Sequence, residues 1–286
     1  MRERNETADI SGNSRTAGAG RYEGAWRLNR NITTILCMGV DSWDTDDGAG
    51  YRADAVMVLV MDREARTIQP IMISRDTMTT VDVYNDQGTY AFSGTMHLNM
   101  QYLFGRTAEE SCRLMEQTVS NLLQGMPIDR YCSITLQGIA EIVDAMGGIT
   151  LVLPEDCTDL DPTWTEGATI PLNGEQAVYF LQHRDTEMFA SNNGRMDRQS
   201  WFLKEVFRQV AELPALRLLT IYNTVKHDLT TDMNLMTMYE ISQCSLAENA
   251  LRLPGTDVEG ELHDEFYVDD RALKALLIQI FYDRAA

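Results

Sequence analysis

Apolar positions in the first third of the chain form short, β-branched runs that predict consecutive strands. Three of these runs cover residues 32–40, 55–61 and 68–74. Only a short polar turn, 62–66, separates the second run from the third, so we expect these two strands to be antiparallel neighbours. Farther along, the polar segment 85–88 lies between runs at 81–84 and 89–92 and predicts a β-hairpin.

Helical periodicity and capping signals dominate the chain after residue 106. Thr107, followed three residues later by Glu110, predicts a capping box at a helix start, and Gly147-Gly148 predicts a helix end. The predicted elements are, in order, helix 107–123, strand 131–136, helix 139–146, strand 149–153, helix 174–181, helix 195–213, a helical stretch 231–246, strand 265–268 and helix 270–282. Strands and helices without strict β-α-β alternation predict a single α/β domain, with a central mixed twisted sheet flanked by helices.

Residues 1–30 differ in composition from the rest of the chain. They are rich in Arg, Gly, Ser, Asn and Thr and contain few large apolar side chains. This composition predicts a flexible N-terminal arm ahead of one domain, 31–286. No apolar run reaches the roughly 18 residues that a membrane-spanning helix requires, and the N-terminus lacks the apolar segment of a signal peptide.

Charge and missing motifs exclude several classes of protein. The formal net charge is -19 at pH 7, and a field of that sign repels nucleic acid, so we expect no nucleic-acid partner. The sequence has no Gly-Lys of a P-loop, no GxGxxG and no GxSxG. The 5 cysteines form no CxxC pair and the 4 histidines are scattered, so no zinc site is expected. Cys37 lies in an apolar strand and is expected in the core.

Charged residues accumulate where the predicted strands turn. If the first strand also pairs antiparallel with the second, the end of the first, the start of the second and the end of the third share one sheet edge. That edge carries Asp41, Arg52, Asp54, Arg75 and Asp76. Two neighbouring carboxylates repel each other unless a hard cation such as Mg²⁺ compensates, which makes Asp41 and Asp54 candidate metal ligands. The alternative is that the aspartates cap loops and that Arg75 pairs with Asp76.

A second group of basic residues lies much later in the chain. Arg195, Arg198 and Gln199 are three and four positions apart, so they share one face in the first turn of the helix predicted to begin near residue 195. Arg184 precedes them. A helix N-terminus offers free backbone N–H groups, and arginines added there create a site for phosphate or pyrophosphate. The alternative is a solvated helix start whose arginines pair with neighbouring aspartates.

The remainder of this helix carries an apolar face. Phe202, Val206, Phe207 and Val210 recur at helical spacing, which is typical of a helix packed on a core. Together with the apolar segment 139–146 and the methionine-rich stretch 233–238, the same face could instead wall an apolar groove for a lipid.

Seven short segments carry further motifs: Gly39-Val40-Asp41, Arg52-Ala53-Asp54, Ser74-Arg75-Asp76-Thr77, the run from Val143 to Ile149, the run from Leu172 to Ala177, His183-Arg184, and the run from Gly194 to Gln199. Each segment is weak alone, and together, in this order and spacing, they are specific. In these segments the chain resembles the LytR-CpsA-Psr family of bacterial cell-envelope phosphotransferases, from about residue 31 to residue 209 and more loosely to the C-terminus.

The resemblance implies an enzyme at the outer face of the bacterial cytoplasmic membrane. Such enzymes transfer a glycopolymer, for example teichoic acid or capsular polysaccharide, from a polyprenyl-pyrophosphate carrier to peptidoglycan through a phosphodiester. Asp41 and Asp54 are implied to hold Mg²⁺ (or Mn²⁺), with the lipid tail in an apolar groove. The residues implied to bind or neutralise the pyrophosphate are Arg52, Arg75, Asp76, His97, Arg184, Arg195, Arg198 and Gln199. Of these, Arg75, Arg184 and Arg198 are expected to be catalytic together with Asp54, which could also assist deprotonation of the attacking hydroxyl.

The sequence departs from the family pattern at several positions. His97 stands where the family has a lysine, and Gln182 replaces an arginine. Asn192 replaces an aspartate, and Ser74 replaces a proline. The family's N-terminal membrane anchor is also missing from residues 1–30, and we expect it to precede this sequence in the natural protein.

Two other functions use the same residues. In a polyprenyl-pyrophosphate hydrolase, water replaces the wall hydroxyl as the attacking group. In a non-catalytic envelope protein, the site binds lipid carriers or wall polymer without turnover, a hypothesis motivated by the substitutions at positions 97 and 182. A transcriptional regulator is disfavoured by the acidic field and by the absence of a recognition-helix motif.

Overall fold

The computed structural model describes residues 26–41, 51–185 and 187–284. Most of the predicted N-terminal arm lies outside these residues. Its last part is not an arm, because Trp26–Leu28 forms strand β1 and pairs antiparallel with the C-terminal strand Tyr282–Arg284. Leu28 packs against the main core, and the Asn29 N–H donates to the Phe281 carbonyl at 2.8 Å. The prediction of a flexible arm is wrong here because the partial burial of Leu28 and the backbone pairing stabilise a strand in spite of the polar composition.

Strands and helices follow one another irregularly along the chain. The strands are β1 (Trp26–Leu28), β2 (Ile32–Asp41), β3 (Arg52–Asp62), β4 (Thr67–Ile73), β5 (Met78–Tyr84), β6 (Tyr90–His97), β7 (Arg130–Thr135), β8 (Ile149–Val152), β9 (Thr169–Leu172), β10 (Leu229–Thr231), β11 (Ser245–Leu246), β12 (Leu251–Arg252), β13 (Gly255–Val258), β14 (Glu265–Val268) and β15 (Tyr282–Arg284). The helices are α1 (Ala108–Leu122), α2 (Leu136–Met146), α3 (Gly174–Gln182), α4 (Asn192–Glu212), α5 (Ala215–Val225), α6 (Leu235–Ser242) and α7 (Asp270–Phe281), with a 3-10 helix over Leu98–Phe104.

A mixed sheet forms the centre of the molecule, as predicted. Its strand order is β10-β7-β2-β3-β4-β11, and β12 also pairs with β4. The meander β2-β3-β4 is antiparallel throughout, whereas β7 runs parallel to β2. The predicted hairpin is β5-β6, which forms its own two-stranded sheet.

Helices cover both faces of this sheet. On one face, α1 and α7 bury the largest apolar cluster, in which Leu36 and Val58 from the strands contact Met115 and Leu273. On the other face, α4 contributes Leu203 and Phe207 to a smaller cluster around Ile35 and Leu59. Because side chains alternate along a strand, β2 supplies both clusters from one continuous apolar run. No helix among the described residues is both long enough and apolar enough to cross a bilayer.

Several predicted boundaries are wrong. Helix α4 begins at Asn192 instead of residue 195, and the predicted stretch 231–246 contains the short α6 between two strands. Helix α5 and strand β10 were not predicted. Helix α5 is stabilised by packing against α2, and β10 by pairing with β7, and neither contact can be seen in the local sequence. The Thr107 hydroxyl does accept from the Glu110 N–H at 3.2 Å. The Glu110 carboxylate, however, accepts from the Arg106 N–H at 3.0 Å, so the predicted capping box is only half formed.

Candidate active site

The edge where β2, β3 and β4 turn carries the predicted charged residues. Asp41 ends β2 directly opposite Arg52 at the start of β3, and a β-bulge between Gly39 and Val40 precedes this pair. Asp54 follows on β3 and forms an ion pair with Arg75, which comes just after β4. The predicted gathering of these residues at one sheet edge is therefore confirmed.

Arg75 connects two acidic residues at this edge. Its Nη1 contacts Asp54, and its Nε donates to Asp76 at 3.2 Å. The Arg75–Asp76 pair considered as an alternative therefore exists together with the pairing to Asp54. Because both carboxylates share one guanidinium, Arg75 has a fixed orientation beside the cavity described below.

The distant arginines reach the same edge from α4 and the loop before it. Arg195 is only 3% exposed, and its burial, followed by the charge of Arg75, lowers the pKa of Arg195 to about 10. Burial and then Arg75 also lower the pKa of the half-buried Arg184. Asp54 and Asp76 act in the opposite direction on both arginines. Three arginines and two aspartates thus form one electrostatic cluster, in which burial and repulsion destabilise the charged forms of Arg195 and Arg184.

Asn192 and Ser74 connect α4 to the end of β4 through buried hydrogen bonds. Asn192 Oδ1 accepts from Arg195 Nε at 3.2 Å and from Arg195 Nη2 at 2.7 Å. Asn192 Nδ2 donates to Ser74 Oγ at 3.0 Å, and Ser74 Oγ also accepts from the Asp76 N–H at 3.2 Å. Two of the departures from the family pattern therefore contact each other, and together they fix Arg195 against the segment that carries Arg75.

An apolar cavity of about 280 Å³ opens at this cluster. Its floor is formed by β2, β3 and β7, and its walls by α2 and α4, which supply Ile139, Ile142, Phe202 and Val206. At its charged end lie Asp41, Asp54, Gln182, Arg195 and Gln199. The middle of the floor is open because the two residues that stand opposite each other there, Gly39 and Ala55, have no side chain or a small one. A Cβ on Gly39 would lie 3.2 Å from the Ala55 Cβ. The apolar groove predicted as an alternative to a plain core is therefore present, lined by the segment 139–146 and by Phe202 and Val206. The methionine-rich stretch 233–238 does not line it, and Phe207 packs instead with Met233 in the cluster around Ile35.

Other predicted site residues lie outside this cavity. Arg52 is exposed. Arg198 is buried beneath α3, where its Nε donates to the Phe180 carbonyl at 2.8 Å and its Nη2 contacts the His183 carbonyl. Since α4 begins at Asn192, Arg198 belongs to the second turn, and the prediction that the arginines share the first turn is wrong. Its contacts support the C-terminal end of α3, just before Arg184.

His97 lies beside the cluster, at the end of β6. Its ring centroid is 6.3 Å from that of His263. Burial is the main cause that lowers the pKa of His97, while the nearby Asp76 acts to raise it. His97 is therefore a mainly neutral side chain at neutral pH, unlike the lysine that the family has there.

Two site residues were not predicted from the sequence. Asn99 is 2% exposed, its Nδ2 lies 3.5 Å from Asp54 Oδ1, and its Oδ1 has no hydrogen-bond partner among the residues that the structure describes. Gln182 donates through Nε2 to Asp41 Oδ2 at 3.2 Å. Gln182 was noted only as a departure from the family pattern, and Asn99 only through its position after His97-Leu98. Their contacts with the two aspartates become visible only in the fold.

The donor set suits a hard divalent cation. Asp41 and Asp54 line the same cavity, and the amide nitrogen of Asn99 faces Asp54 at 3.5 Å. No group of three or more His, Cys, Asp or Glu side chains that could hold a metal occurs in the described part of the chain. Mg²⁺ is held by one or two carboxylates together with water and phosphate oxygens, so this pair of aspartates fits it.

Comparison with known proteins identifies the family. The model of the LytR_cpsA_psr family matches residues 3–277. The chain belongs to the LytR-CpsA-Psr family. Similar curated members of the family include two polyisoprenyl-teichoic acid–peptidoglycan teichoic acid transferases named TagU. The one from Halalkalibacterium halodurans is 28% identical over 229 residues, which are 80% of this chain and 69% of that protein. The one from Bacillus subtilis is 26% identical over 248 residues, 84% of this chain and 74% of that protein.

Solved structures support the LytR-CpsA-Psr fold. B. subtilis TagV has a TM-score of 0.66 at 22% identity and covers 88% of this chain and 97% of its own. B. subtilis TagU has a TM-score of 0.62 at 22% identity, covering 90% of this chain and 100% of its own. TagT, solved bound to LIIa-WTA, has a TM-score of 0.64 at 18% identity, covering 88% of this chain and 90% of its own. At these identities the likeness establishes the fold alone.

Proposed function

We propose that this protein transfers a glycopolymer from a polyprenyl-pyrophosphate carrier to a hydroxyl group of peptidoglycan. The wall oxygen bonds to the phosphorus next to the glycopolymer, the pyrophosphate bridge breaks, and polyprenyl phosphate leaves. The proton of the attacking hydroxyl goes to a base or to solvent. The observation that carries this proposal is a single cavity with an apolar interior and a charged end, which matches a ligand with a hydrocarbon tail and a pyrophosphate head. Membership in the family supports it, as do the names of the TagU relatives, which suggest teichoic acid as the polymer class.

The arginines of the cluster are suited to the pyrophosphate oxygens. Arg195 is buried and held by the neutral amide of Asn192, so its charge is available to an anion at the cavity. Arg75 and Arg184 are close enough to lower the pKa of Arg195 together with burial. A pyrophosphate bound here would relieve the repulsion among the three guanidinium groups and gain charge-assisted hydrogen bonds. Positioning and charge neutralisation are the main contributions that phosphoryl transfer requires of a protein.

Asp41 and Asp54 are proposed to hold Mg²⁺, or Mn²⁺, at the charged end. When bound, the cation would neutralise phosphate oxygens and favour attack at phosphorus. Asp54 would also orient the attacking hydroxyl, with Arg75 keeping its carboxylate in place. Asn99 would help to orient Asp54, because its amide Nδ2 faces the Asp54 carboxylate at 3.5 Å.

The proposed reaction also sets the place where the protein works. Peptidoglycan and its lipid-linked donors meet at the outer face of the bacterial cytoplasmic membrane, so we propose that location, with the protein anchored to that membrane. The apolar part of the cavity would take the first isoprene units of the carrier, between Ile139 and Phe202.

A labelled lipid-linked glycopolymer, incubated with and without peptidoglycan, tests this function. We expect label on peptidoglycan and release of polyprenyl phosphate only when acceptor and Mg²⁺ are both present. Asp54→Asn and Arg75→Ala should abolish transfer. Arg208→Ala should not, because Arg208 pairs with Glu205 on the exposed side of the same helix as Arg195.

The same experiment separates the alternatives. Release of polymer phosphate without acceptor identifies a hydrolase instead of a transferase. Tight binding of the donor with no turnover, unchanged by Asp54→Asn, identifies a non-catalytic carrier-binding protein. Either result overturns the proposed transfer reaction.

A further inference from the structure

Three sulfur-containing side chains form one row across the cavity floor. Cys37 on β2 stands directly opposite Cys132 on β7 and directly opposite Met57 on β3. Residues in register on adjacent strands point to the same face of a sheet, and all three side chains line the cavity. Cys37, expected in the core, does pack against the cluster around Ile35 and Leu59, and it also lines the cavity.

The two cysteines form a dithiol. Both are free thiols, and a hydrogen bond with Cys132, followed by burial, raises the pKa of Cys37 well above its usual value. The next row along the floor, Ile134, Gly39 and Ala55, is apolar. Asp41 lies four residues farther along β2, about 13 Å at the usual rise of a strand. The sulfur row is thus separated from the oxygen ligands proposed for Mg²⁺.

This arrangement has the chemistry of a soft-metal site. Thiolate and thioether sulfur select soft ions such as Cu(I), whereas carboxylates and carbonyls select Mg²⁺. Neighbouring strands lie about 4.8 Å apart, which is close to two metal–thiolate bonds of about 2.3 Å each. A disulfide needs Cβ atoms only about 3.8 Å apart, so the strand spacing favours a bridging ion over a direct S–S bond.

We propose that Cys37, Cys132 and Met57 bind one soft monovalent cation of the Cu(I) class on the cavity floor. Binding replaces two S–H bonds by two metal–sulfur bonds and releases two protons to solvent, with no change in oxidation state. The thioether of Met57 adds a neutral third ligand. Because both protons must leave, affinity rises with pH. The site lies on the floor of the cavity proposed for the lipid tail, but Cu(I) binding does not depend on the transfer reaction and is tested without it.

An anaerobic titration of the reduced protein with Cu(I), against a chromogenic Cu(I) chelator, tests the site. We expect one Cu(I) per chain and copper–sulfur scattering in its X-ray absorption spectrum. Cys37→Ser and Cys132→Ser, which keep side-chain size, should each weaken binding by more than about 100-fold, beyond the usual effect of losing an outer-shell partner. Met57→Leu should weaken it less. Cys244→Ser is the matched control, because Cys244 does not line the cavity and its thiol contacts the Glu240 carbonyl.

Three outcomes would overturn this proposal. The first is Cu(I) affinity in the wild type no greater than in the folded Cys37→Ser variant. The second is equal loss of affinity in Cys244→Ser. The third is a Cys37–Cys132 disulfide, detected by peptide mass spectrometry, that persists under reducing conditions. Circular dichroism of each variant separates loss of the site from loss of the fold.

Discussion

At the scale of single residues, the neutral side chain of Asn192 governs the charge of Arg195. Asn192 is 4% exposed and binds Arg195 through its amide oxygen, so the buried guanidinium has an amide as its hydrogen-bond partner instead of a carboxylate. An unneutralised buried cation is costly for the empty protein and favourable once an anion binds. We therefore expect this arrangement to raise the affinity of the cavity for phosphate at the expense of some folding stability.

Asn192→Asp is predicted to weaken the binding of inorganic pyrophosphate by about tenfold, roughly 1.4 kcal/mol. The new carboxylate keeps the shape of the side chain, pairs with Arg195, and can accept a hydrogen bond from Ser74. Its negative charge opposes the ligand and should raise the melting temperature slightly. Isothermal titration calorimetry measures the affinity. Asn234→Asp adds the same charge at an exposed helix cap, so it should leave the pyrophosphate affinity unchanged. Equal or tighter binding by Asn192→Asp would contradict this role.

His97 is predicted to make pyrophosphate binding pH-dependent. Burial lowers its pKa below the ordinary 6.5, so the ring is neutral at pH 7 and becomes a cation only in more acidic solution. The groups that face it are Asp76, His263, Glu265 and Arg75. The ratio of wild-type affinity to that of His97→Gln should rise as the pH falls through this lowered pKa. A ratio that stays constant between about pH 7 and about pH 5 would contradict this role of His97 in pyrophosphate binding.

Protonation of His97 should lower the free energy of unfolding, whereas it should raise the affinity for pyrophosphate. Its pKa is lower in the folded protein than in the unfolded chain, so the unfolded chain binds the proton more readily. This contribution to stability is fully present above the unfolded pKa and is lost as the pH falls from there through the lowered folded pKa.

At the scale of elements, the joint between α3 and α4 depends on Arg198. Its guanidinium lies 5.9 Å from the centre of the Phe180 ring and donates to two carbonyl groups at the end of α3. Those carbonyls have no partner inside the helix, so a buried cation satisfies both of them. The position of Arg184, two residues past α3, follows from this contact.

Arg198→Gln is predicted to lower the free energy of unfolding by about 1–3 kcal/mol, because it leaves buried carbonyl groups unsatisfied. Thermal denaturation measures the loss, which Arg198→Lys should recover only in part. Activity should fall with the folded fraction and with the displacement of Arg184. If Arg198→Gln abolishes transfer without changing stability, Arg198 contacts the substrate directly, as the family resemblance implies.

The sheet floor offers a separate test of the cavity. Gly39 and Ala55 leave its middle open, so Ala55→Leu should fill that space from β3. We expect polyprenyl-phosphate binding to fall by at least about tenfold, while pyrophosphate binding at the charged end is retained. Fluorescent-lipid displacement measures the first and calorimetry the second. Ala108→Leu, at an exposed helix position, is the control. Unchanged lipid affinity in Ala55→Leu would place the lipid elsewhere.

At the scale of the whole molecule, the sequence predicted what local pattern and short turns determine. The meander β2-β3-β4 follows from three apolar runs and one short turn, and its antiparallel pairing brings Asp41, Asp54 and Arg75 to one edge. Strands of two or three residues, such as β11, are defined only by their sheet partners and could not be predicted.

The site shows the same limit of local information. Asn192 and Ser74 lie 118 positions apart in the sequence, and nothing in either segment indicates their hydrogen bond. Arg198 looked like its neighbour Arg195 because both lie at helical spacing, yet one faces carbonyl groups and the other the cavity. Residue types predicted the chemistry of the cluster, whereas tertiary packing decided which members reach the cavity.

We expect one cavity to bind both parts of a polyprenyl pyrophosphate. A crystal structure with Mg²⁺ and a short-chain prenyl pyrophosphate would show this binding directly. We predict that the pyrophosphate lies between Arg195, Arg75 and the two aspartates, with the prenyl chain against Ile139 and Phe202. A prenyl chain outside the cavity, or a pyrophosphate bound away from these arginines, would show that the cavity does not bind both parts.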